Sequence, residues 1–288
     1  MSIINTAQFK IRDYECDAYG HLNHANYIRL MQEAAFDAST AVGYPKDRYE
    51  AMQRLWLARE TEIEYRAPLF YGDTVTIRTW VADFRQVRSL RIYEFYRGEE
   101  LVAQAQTDWV YMDRETGKVV PVPLEVVAAY AGDDPVQRLP RNGFPPPPNA
   151  PNGAYTLRKR VEWRDIDGAQ HLNNAAYFNY IEDCAIQVAA HFGWPSSRTM
   201  GAGLALVAHR HHIEYREPGL MDDEIDITTW LFNVKRASAT RHYNFVRARD
   251  GALLAQAQTQ WAAISLETGK PVRVPADFVA DFGPNIAG

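Results

Sequence analysis

The chain contains the same sentence twice. The segment Asp17-Ala-Tyr-Gly-His-Leu-Asn-His-Ala-Asn-Tyr27 returns as Asp167-Gly-Ala-Gln-His-Leu-Asn-Asn-Ala-Ala-Tyr177, at an offset of 150 and with six of eleven positions identical. Ile63-Glu64-Tyr65-Arg66 with Pro68 returns as Ile213-Glu214-Tyr215-Arg216 with Pro218, and Thr79-Trp80 as Thr229-Trp230. Beyond these the offset becomes 152, where Ala103–Thr107 matches Ala255–Thr259 and Glu115–Lys118 matches Glu267–Lys270. The two extra residues therefore fall between Arg247 and Ala255, where Arg249-Asp250-Gly251 reads as a hairpin turn that tolerates insertion. Register kept over more than a hundred residues marks an internal duplication, so both halves must reach the same fold. Four consecutive prolines, Pro145 to Pro148, lie between the copies; they cannot continue a helix or a central strand and favour an extended, semi-rigid spacer. The expected organisation is repeat one over 1–125, a Pro-rich linker over 126–153 and repeat two over 154–288.

Composition narrows the classes. Of 288 residues 47% are hydrophobic and 23% charged, which is ordinary for a folded protein and unlike disordered or coiled-coil chains. No apolar run reaches the roughly 18 residues of a membrane helix, and Met1 to Glu15 carries no secretory-signal pattern. Cys16 and Cys184 lack both a disulfide framework and metal spacing, so a reducing, cytoplasmic location is expected. A net charge of −5 supplies no global field for nucleic acid or anionic lipid. The expectation is a protein with no nucleic-acid partner, no membrane partner, no metal and no cofactor.

Each copy reads as a helix followed by strands. Tyr27, Leu30, Met31, Ala34, Ala35, Ala38, Ala41 and Val42 form a helical stripe, and Tyr177, Tyr180, Ile181, Cys184, Ala185 and Val188 repeat it. Both stripes meet a stop, Gly43-Tyr-Pro45 and Gly193-Trp-Pro195. In repeat one Thr74–Val81, Leu90–Tyr96 and Val102–Tyr111 read as strands. A long helix with small residues on its apolar side, followed by consecutive strands, predicts an α+β fold in which an antiparallel sheet wraps the helix.

Asp-x-x-Gly/Gln-His-Leu-Asn-x-Ala-x-Tyr before a long helix, followed by Ile-Glu-Tyr-Arg-x-Pro and Gly72-Asp73, resembles the hotdog-fold thioesterases. The nearest branches are the 4-hydroxybenzoyl-CoA thioesterase-like and acyl-ACP thioesterase-like ones, and the resemblance covers both repeats but not the linker. It implies a tandem, double hotdog: a covalent pseudo-dimer whose two strand sets join, active as a monomer or a homodimer. It also implies thioester hydrolysis with an acyl-CoA substrate, in fatty acid metabolism, or with an acyl-ACP substrate as the near alternative.

The residues themselves suit that chemistry. A motif placed directly before a helix leaves backbone N–H groups around 23–26 and 173–176 without intrahelical partners, backed by the helix dipole. Such donors suit a thioester carbonyl whose oxygen becomes negative during attack. Asp17 and Asp167 precede those amides closely enough to fold back, either to attack the acyl carbon or to deprotonate water. The resemblance implies an acidic residue at Asp17 and Asp167, with the amides of His24 and Asn174 as carbonyl binders. It further implies that His21, Asn23, His171 and Asn173 orient water or the acid. Read without it, Asn23 and Asn173 are helix caps, His21 and His171 satisfy loop carbonyls, and the aspartates are turn residues.

Other residues have two readings. Arg85, Arg88 and Arg91, with Lys235, Arg236 and Arg241, resemble the basic groups that meet the CoA phosphates in hotdog enzymes, yet a charged strand edge explains them nearly as well. Arg85, Arg88, Lys235 and Arg236 are taken as substrate-binding candidates. Glu33 and Asp183 are reserve acids that read more simply as solvated or ion-paired helix carboxylates. Cys184, on the apolar stripe, reads as packing. His209, His211 and His212 invite a metal reading, but on a strand only His209 and His211 share a face, short of the three or four ligands usual for a metal. Two other classes remain as alternatives: an enoyl-CoA hydratase or dehydratase, whose Asp-x-x-x-x-His signature is absent, and a non-catalytic acyl-CoA-binding protein.

Overall fold

The computed structural model describes residues 3–131, 138–141 and 143–288. It divides into two units, residues 1–143 and 144–288. The stretch 132–137 and residue 142, within the expected linker of 126–153, lie outside the described residues; residues 126–131 of that linker belong instead to a helix, Leu124–Ala131, that ends the first unit's series of elements.

The first unit runs β1 (Asn5–Lys10), α1 (His24–Ala41), α2 (Lys46–Ala51), β2 (Arg54–Tyr65), β3 (Thr74–Phe84), β4 (Arg88–Arg97), β5 (Glu100–Asp113) and α3 (Leu124–Ala131). Its strands lie in the order β1-β3-β4-β5-β2 and pair antiparallel throughout. The second unit repeats this with β6 (Tyr155–Arg160), α4 (Asn174–His191), α5 (Ser196–Gly201), β7 (Leu204–Tyr215), β8 (Glu224–Phe232), β9 (Ser238–Arg247), β10 (Leu253–Ser265) and α6 (Ala276–Asp281). Its order, β6-β8-β9-β10-β7, is the same. The α+β class inferred from the repeat holds in each half.

Period-two alternation explains the sheets. In β3 Val75, Ile77, Thr79 and Val81 face inward, and in β4 Arg91, Tyr93 and Phe95 do, while their neighbours face out. α1 packs on β1 and β3 through Ala25, Tyr27, Ile28, Leu30, Met31, Ala34 and Ala38. Each large apolar side chain so buried contributes roughly 1.5–3 kcal/mol. Of the expected stripe, Ala35 is half-buried and Ala41 exposed, because the helix ends there and Gly43 turns the chain at φ +82°. The strands extend past their expected limits, and β1 was not anticipated: its six residues alternate too mildly to stand out without the partner β3. The longer turn between β9 and β10 absorbs the two inserted residues, with a register shift between Leu253 and Ala255.

The linker residues lie on the sheet faces opposite the helices. In the first unit Leu139 N–H donates to Asp83 Oδ2 (3.3 Å), and Arg141 lies 2.6 Å from Asp108 Oδ1 and 3.3 Å from Asp83 Oδ2. In the second, Phe144 packs on the rings of His212 and His242, and Gln258 Nε2 donates to the Pro145 carbonyl (2.9 Å). Among the described residues no helix is long and apolar enough to cross a membrane.

Candidate active site

The loop ahead of each long helix is built by its aspartate. Asp17 N–H donates to the His21 carbonyl (2.7 Å), while Asp17 Oδ1 accepts from the amides of Tyr19 (2.8 Å) and His21 (3.1 Å). Asp167 N–H donates to the His171 carbonyl (3.0 Å) and its Oδ1 accepts from Ala169 (2.8 Å). This is the local turn chemistry of aspartate, and it commits one carboxylate oxygen, Oδ1, leaving Oδ2 outside the turn. The turn needs a left-handed residue: Gly20 supplies it at φ +78°, whereas the second copy places Gln170 there at φ +65°.

The loop then joins the helix in the same way twice. Leu22 N–H donates to the Leu69 carbonyl (2.7 Å) and Asn23 N–H to that of Glu15 (2.9 Å); Leu172 and Asn173 pair likewise with Gly219 (2.8 Å) and Asp165 (2.8 Å). Asn23 Oδ1 caps the Ala25 amide (2.9 Å), and Asn173 Oδ1 caps that of Ala175 (2.8 Å). The amides of Asn26 and Ala176 turn back to the Asn23 and Asn173 carbonyls, both at 2.9 Å. The capping reading of the asparagines is therefore realised, and it leaves room for a further role of the cap's amide group.

The copies differ around this shared frame. His24 packs its ring 4.9 Å from Tyr65, and burial, reinforced by His21, lowers its pKa to about 4, so the imidazole is neutral at pH 7. In the second copy the Tyr215 hydroxyl donates instead to the Asn174 carbonyl (3.4 Å). Asn26 adds a bond from Nδ2 to the Glu15 carbonyl (2.8 Å), which Ala176 cannot make. The His21 ring meets Phe70 edge-on at 5.2 Å, and Phe70 and Tyr71 are exposed; Leu220 and Met221 stand at these places in the second copy.

A pair missed in the sequence holds the neighbouring loop. Asp73 Oδ2 accepts from the Phe70 amide (2.9 Å) and from Arg97 (3.1 Å); Asp223 Oδ2 accepts from the Leu220 amide (2.9 Å) and faces Arg247 at 3.6 Å. Both members recur at the constant offset of 150, a signal available from the start.

The basic candidates are placed differently from expectation. Arg85 faces Asp83 (3.4 Å) and donates to the Leu139 carbonyl (2.8 Å), and Arg88 pairs with Asp108. Both belong to the ion cluster that holds the linker against the first sheet. Arg91 and Arg241 point into the interior, where they reach Thr79 and Thr229, because the strand alternation puts them on the same face as Tyr93 and Tyr243. Lys235 and Arg236 are exposed. Glu33 is exposed and Asp183 pairs with Lys159 (2.8 Å). Cys184 is buried, its thiol pushed up to about 12 by burial. His211 faces inward, with Nδ1 2.8 Å from Thr259 Oγ1, while His212 faces outward under Phe144. Among the described residues no three His, Cys, Asp or Glu side chains come together to hold a metal.

The model of one family, the thioesterase-like superfamily, matches residues 11–130 and again 161–282. The chain is similar to a chloroplastic acyl-(acyl-carrier-protein) hydrolase of Cuphea viscosissima, 23% identical over 88% of this chain and 61% of that protein. It spans about three fifths of the length of that relative. A putative acyl-CoA thioesterase of Bacillus subtilis, YneP, is 25% identical over 41% of this chain and 86% of its own length, a single repeat. Among solved structures, a putative oleoyl thioesterase of Lactobacillus plantarum superposes with a TM-score of 0.78 at 21% identity, covering 91% of this chain and 96% of that one. The 12:0-ACP thioesterase of Umbellularia californica gives 0.70 at 18% identity, covering 90% and 94%.

Proposed function

Since this chain belongs to the thioesterase-like superfamily, we propose that it hydrolyses acyl thioesters to a free carboxylic acid and a thiol. The observation that carries this reading is the twofold occurrence of one arrangement. In each repeat a carboxylate held by its own turn stands directly before a long helix that the asparagine of the same motif caps.

In this reading the His24 or Asn174 amide receives the thioester carbonyl oxygen. Asp17 or Asp167 takes a proton from water through Oδ2, and the oxygen of that water bonds to the acyl carbon. Collapse of the tetrahedral species breaks the C–S bond, and the thiolate leaves with the proton returned from the aspartate. Direct attack by Oδ2 gives a mixed anhydride instead, which water then opens. A single turnover in ¹⁸O-water identifies the nucleophilic route when water opens the anhydride at the aspartyl carbon: the first product then carries an unlabelled oxygen from the aspartate, and the label enters the protein. His21 and His171, whose carbonyls accept from the amides of Asp17 and Asp167, orient the water or the acid.

Acyl-CoA is one carrier. A second reading, acyl-ACP, is favoured by the relatives that align across both repeats, which bear acyl-carrier-protein names, and by the internal pairing of Arg85 and Arg88. The test is thiol release from matched acyl-CoA and acyl-ACP of equal chain length, with wild type, Asp17→Asn, Asp167→Asn and the double variant. Full activity in the double variant overturns the assigned acids; no thiol release from any thioester overturns the reading itself.

A further inference from the structure

The two residues by which the repeats fall out of register, added in the turn between β9 and β10, border the candidate site of the second repeat. Arg247, the last residue of β9, donates to the Pro218 carbonyl (3.2 Å) and stands 3.6 Å from Asp223 Oδ2, so it spans both ends of the loop 218–223. Asp223 Oδ2 in turn takes the Leu220 amide (2.9 Å). Between these anchors the Gly219 carbonyl receives the N–H of Leu172 (2.8 Å), the residue just ahead of the Asn173 cap. The approach is close: a Cβ on Gly219 would lie 3.1 Å from that of Leu172. The place of this loop therefore sets where the start of α4 lies relative to Asp167.

The first repeat builds the same frame with a thinner brace. Arg97 reaches the Pro68 carbonyl and Asp73 Oδ2, both at 3.1 Å, and has one further carboxylate, Glu100 (2.7 Å). In the second repeat Asp250 takes the Arg247 Nε–H with both oxygens (3.0 Å each), and Arg249 reaches Asp223 Oδ1 (3.1 Å). Side-chain exposure is 2% for Asp223 and 10% for Arg247, against 23% and 31% for Asp73 and Arg97. Water and salt screen the first pair more than the second, and loss of one partner is felt most where the other is buried.

Other ties between helix and loop balance. Asn26 Nδ2 donates to the Glu15 carbonyl (2.8 Å) in the first repeat, and the Tyr180 hydroxyl donates to Asp165 Oδ2 (2.7 Å) in the second. Asp17 accepts one amide more than Asp167, but that bond lies within the aspartate's own turn.

We propose that Arg247, braced by the inserted Arg249-Asp250 turn, is a positioning residue for the Asp167 site, and that the second repeat is in consequence the faster of the two. This rests on the thioester-hydrolase reading. A displaced guanidinium lets the Gly219 carbonyl drift and the helix start with it, and an error of about 1 Å in such a frame costs up to roughly 100-fold in rate.

The test uses the full chain with the acyl thioester that wild type hydrolyses fastest, and follows kcat and KM separately. Arg247→Lys keeps the charge and loses the fork. Replacing residues 248–252 by Gly-Glu-Glu, the turn of the first repeat, removes the brace and leaves Arg247 in place. Each should lower kcat by roughly tenfold with KM unchanged. The loss should persist beside Asp17→Asn and vanish beside Asp167→Asn, and Asp167→Asn alone should cost more than Asp17→Asn. Amide hydrogen exchange over residues 167–173 should quicken in both variants. If Arg247→Lys does not fold, the turn replacement carries the comparison. Faster exchange or a lower melting temperature with kcat intact overturns the inference and leaves a structural brace only. A loss that persists beside Asp167→Asn, or a larger cost from Asp17→Asn, overturns it too. Wild type that releases no thiol from any thioester is a different failure, that of the hydrolase reading, and the inference falls with it.

Discussion

In the first repeat the residue after the helix cap is a half-buried imidazole packed on the Tyr65 ring; in the second it is an asparagine whose carbonyl takes the hydroxyl of the matching Tyr215. The loops that precede these residues share most of their backbone bonds and the same asparagine cap. Backbone geometry was thus preserved after duplication while the side chains beside it drifted: Gly20 against Gln170, Asn26 against Ala176, Phe70 and Tyr71 against Leu220 and Met221, Thr61 against His211. A pair of sites that keep their frame but change their lining is suited to two unequal tasks, and the variants below measure the inequality.

The largest effect belongs to the aspartates. Asparagine keeps an Oδ1 acceptor for the turn amides but carries no charge, so Asp17→Asn and Asp167→Asn test chemistry rather than folding. Together they should lower kcat/KM by about 10²–10⁴-fold, the usual span for a lost general base. If only one single variant shows that loss in thiol release, the other repeat serves binding alone. Equal halves, each retaining about half the activity, show two working sites.

Stability is unequal for another reason. Asp83 and Asp108 are buried and share Arg85, Arg88 and Arg141, and their counterparts in the second repeat are the uncharged Asn233 and Gln260. Removing one member of a buried charge cluster leaves the others uncompensated. Arg141→Met should cost about 3 kcal/mol in urea unfolding. Lys235→Met, on the exposed counterpart of Arg85, should change stability by no more than about 0.5 kcal/mol.

Each repeat also holds a histidine that its surroundings keep neutral, in a different place. His24 and His242 both have pKa values lowered from 6.5 to about 4, by burial in each case; Asn174 and Ile92 are their counterparts. The unfolded chain binds a proton at these sites below pH 6.5 and the folded chain only below about 4. Stability contributed by their neutral forms is therefore complete above pH 6.5 and declines as pH falls through that window. His24→Asn should flatten the decline by on the order of 2 kcal/mol, read from denaturant midpoints between pH 7 and 4. An unchanged slope assigns the acid sensitivity to the other half.

The duplication, the two helices and their stops were legible because they depend on spacing within one element. The linker's ion cluster was not, since Asp83, Asp108 and Arg141 are far apart in sequence and meet only when β3, β4 and β5 pair. Arg91 was readable in principle: counting by twos from Phe95 through Tyr93 puts it on the inward face, whereas grouping it with Arg85 and Arg88 by proximity put it outside. Of the candidate site, the aspartate, histidine and asparagine positions were visible through repetition, and the loop held by Asp73 and Arg97 was overlooked despite carrying the same signature.

The smallest expected effect separates the two roles of the cap. Asn23→Ala removes the acceptor for the Ala25 amide and should cost about 1 kcal/mol, with Asn173→Ala costing the same because the geometry is the same. Asn23→Asp keeps the acceptor, adds charge favourable to the helix dipole and loses the side-chain N–H₂ donors. If the asparagine only caps, the aspartate variant is as stable and as active as wild type in either repeat. If its amide also orients the water or the acid, stability is retained while kcat falls, and it falls only in the repeat that the aspartate variants identify as the working one. A loss of activity from Asn23→Asp in the idle repeat contradicts that division, since a residue that merely fixes a helix start cannot slow chemistry performed elsewhere.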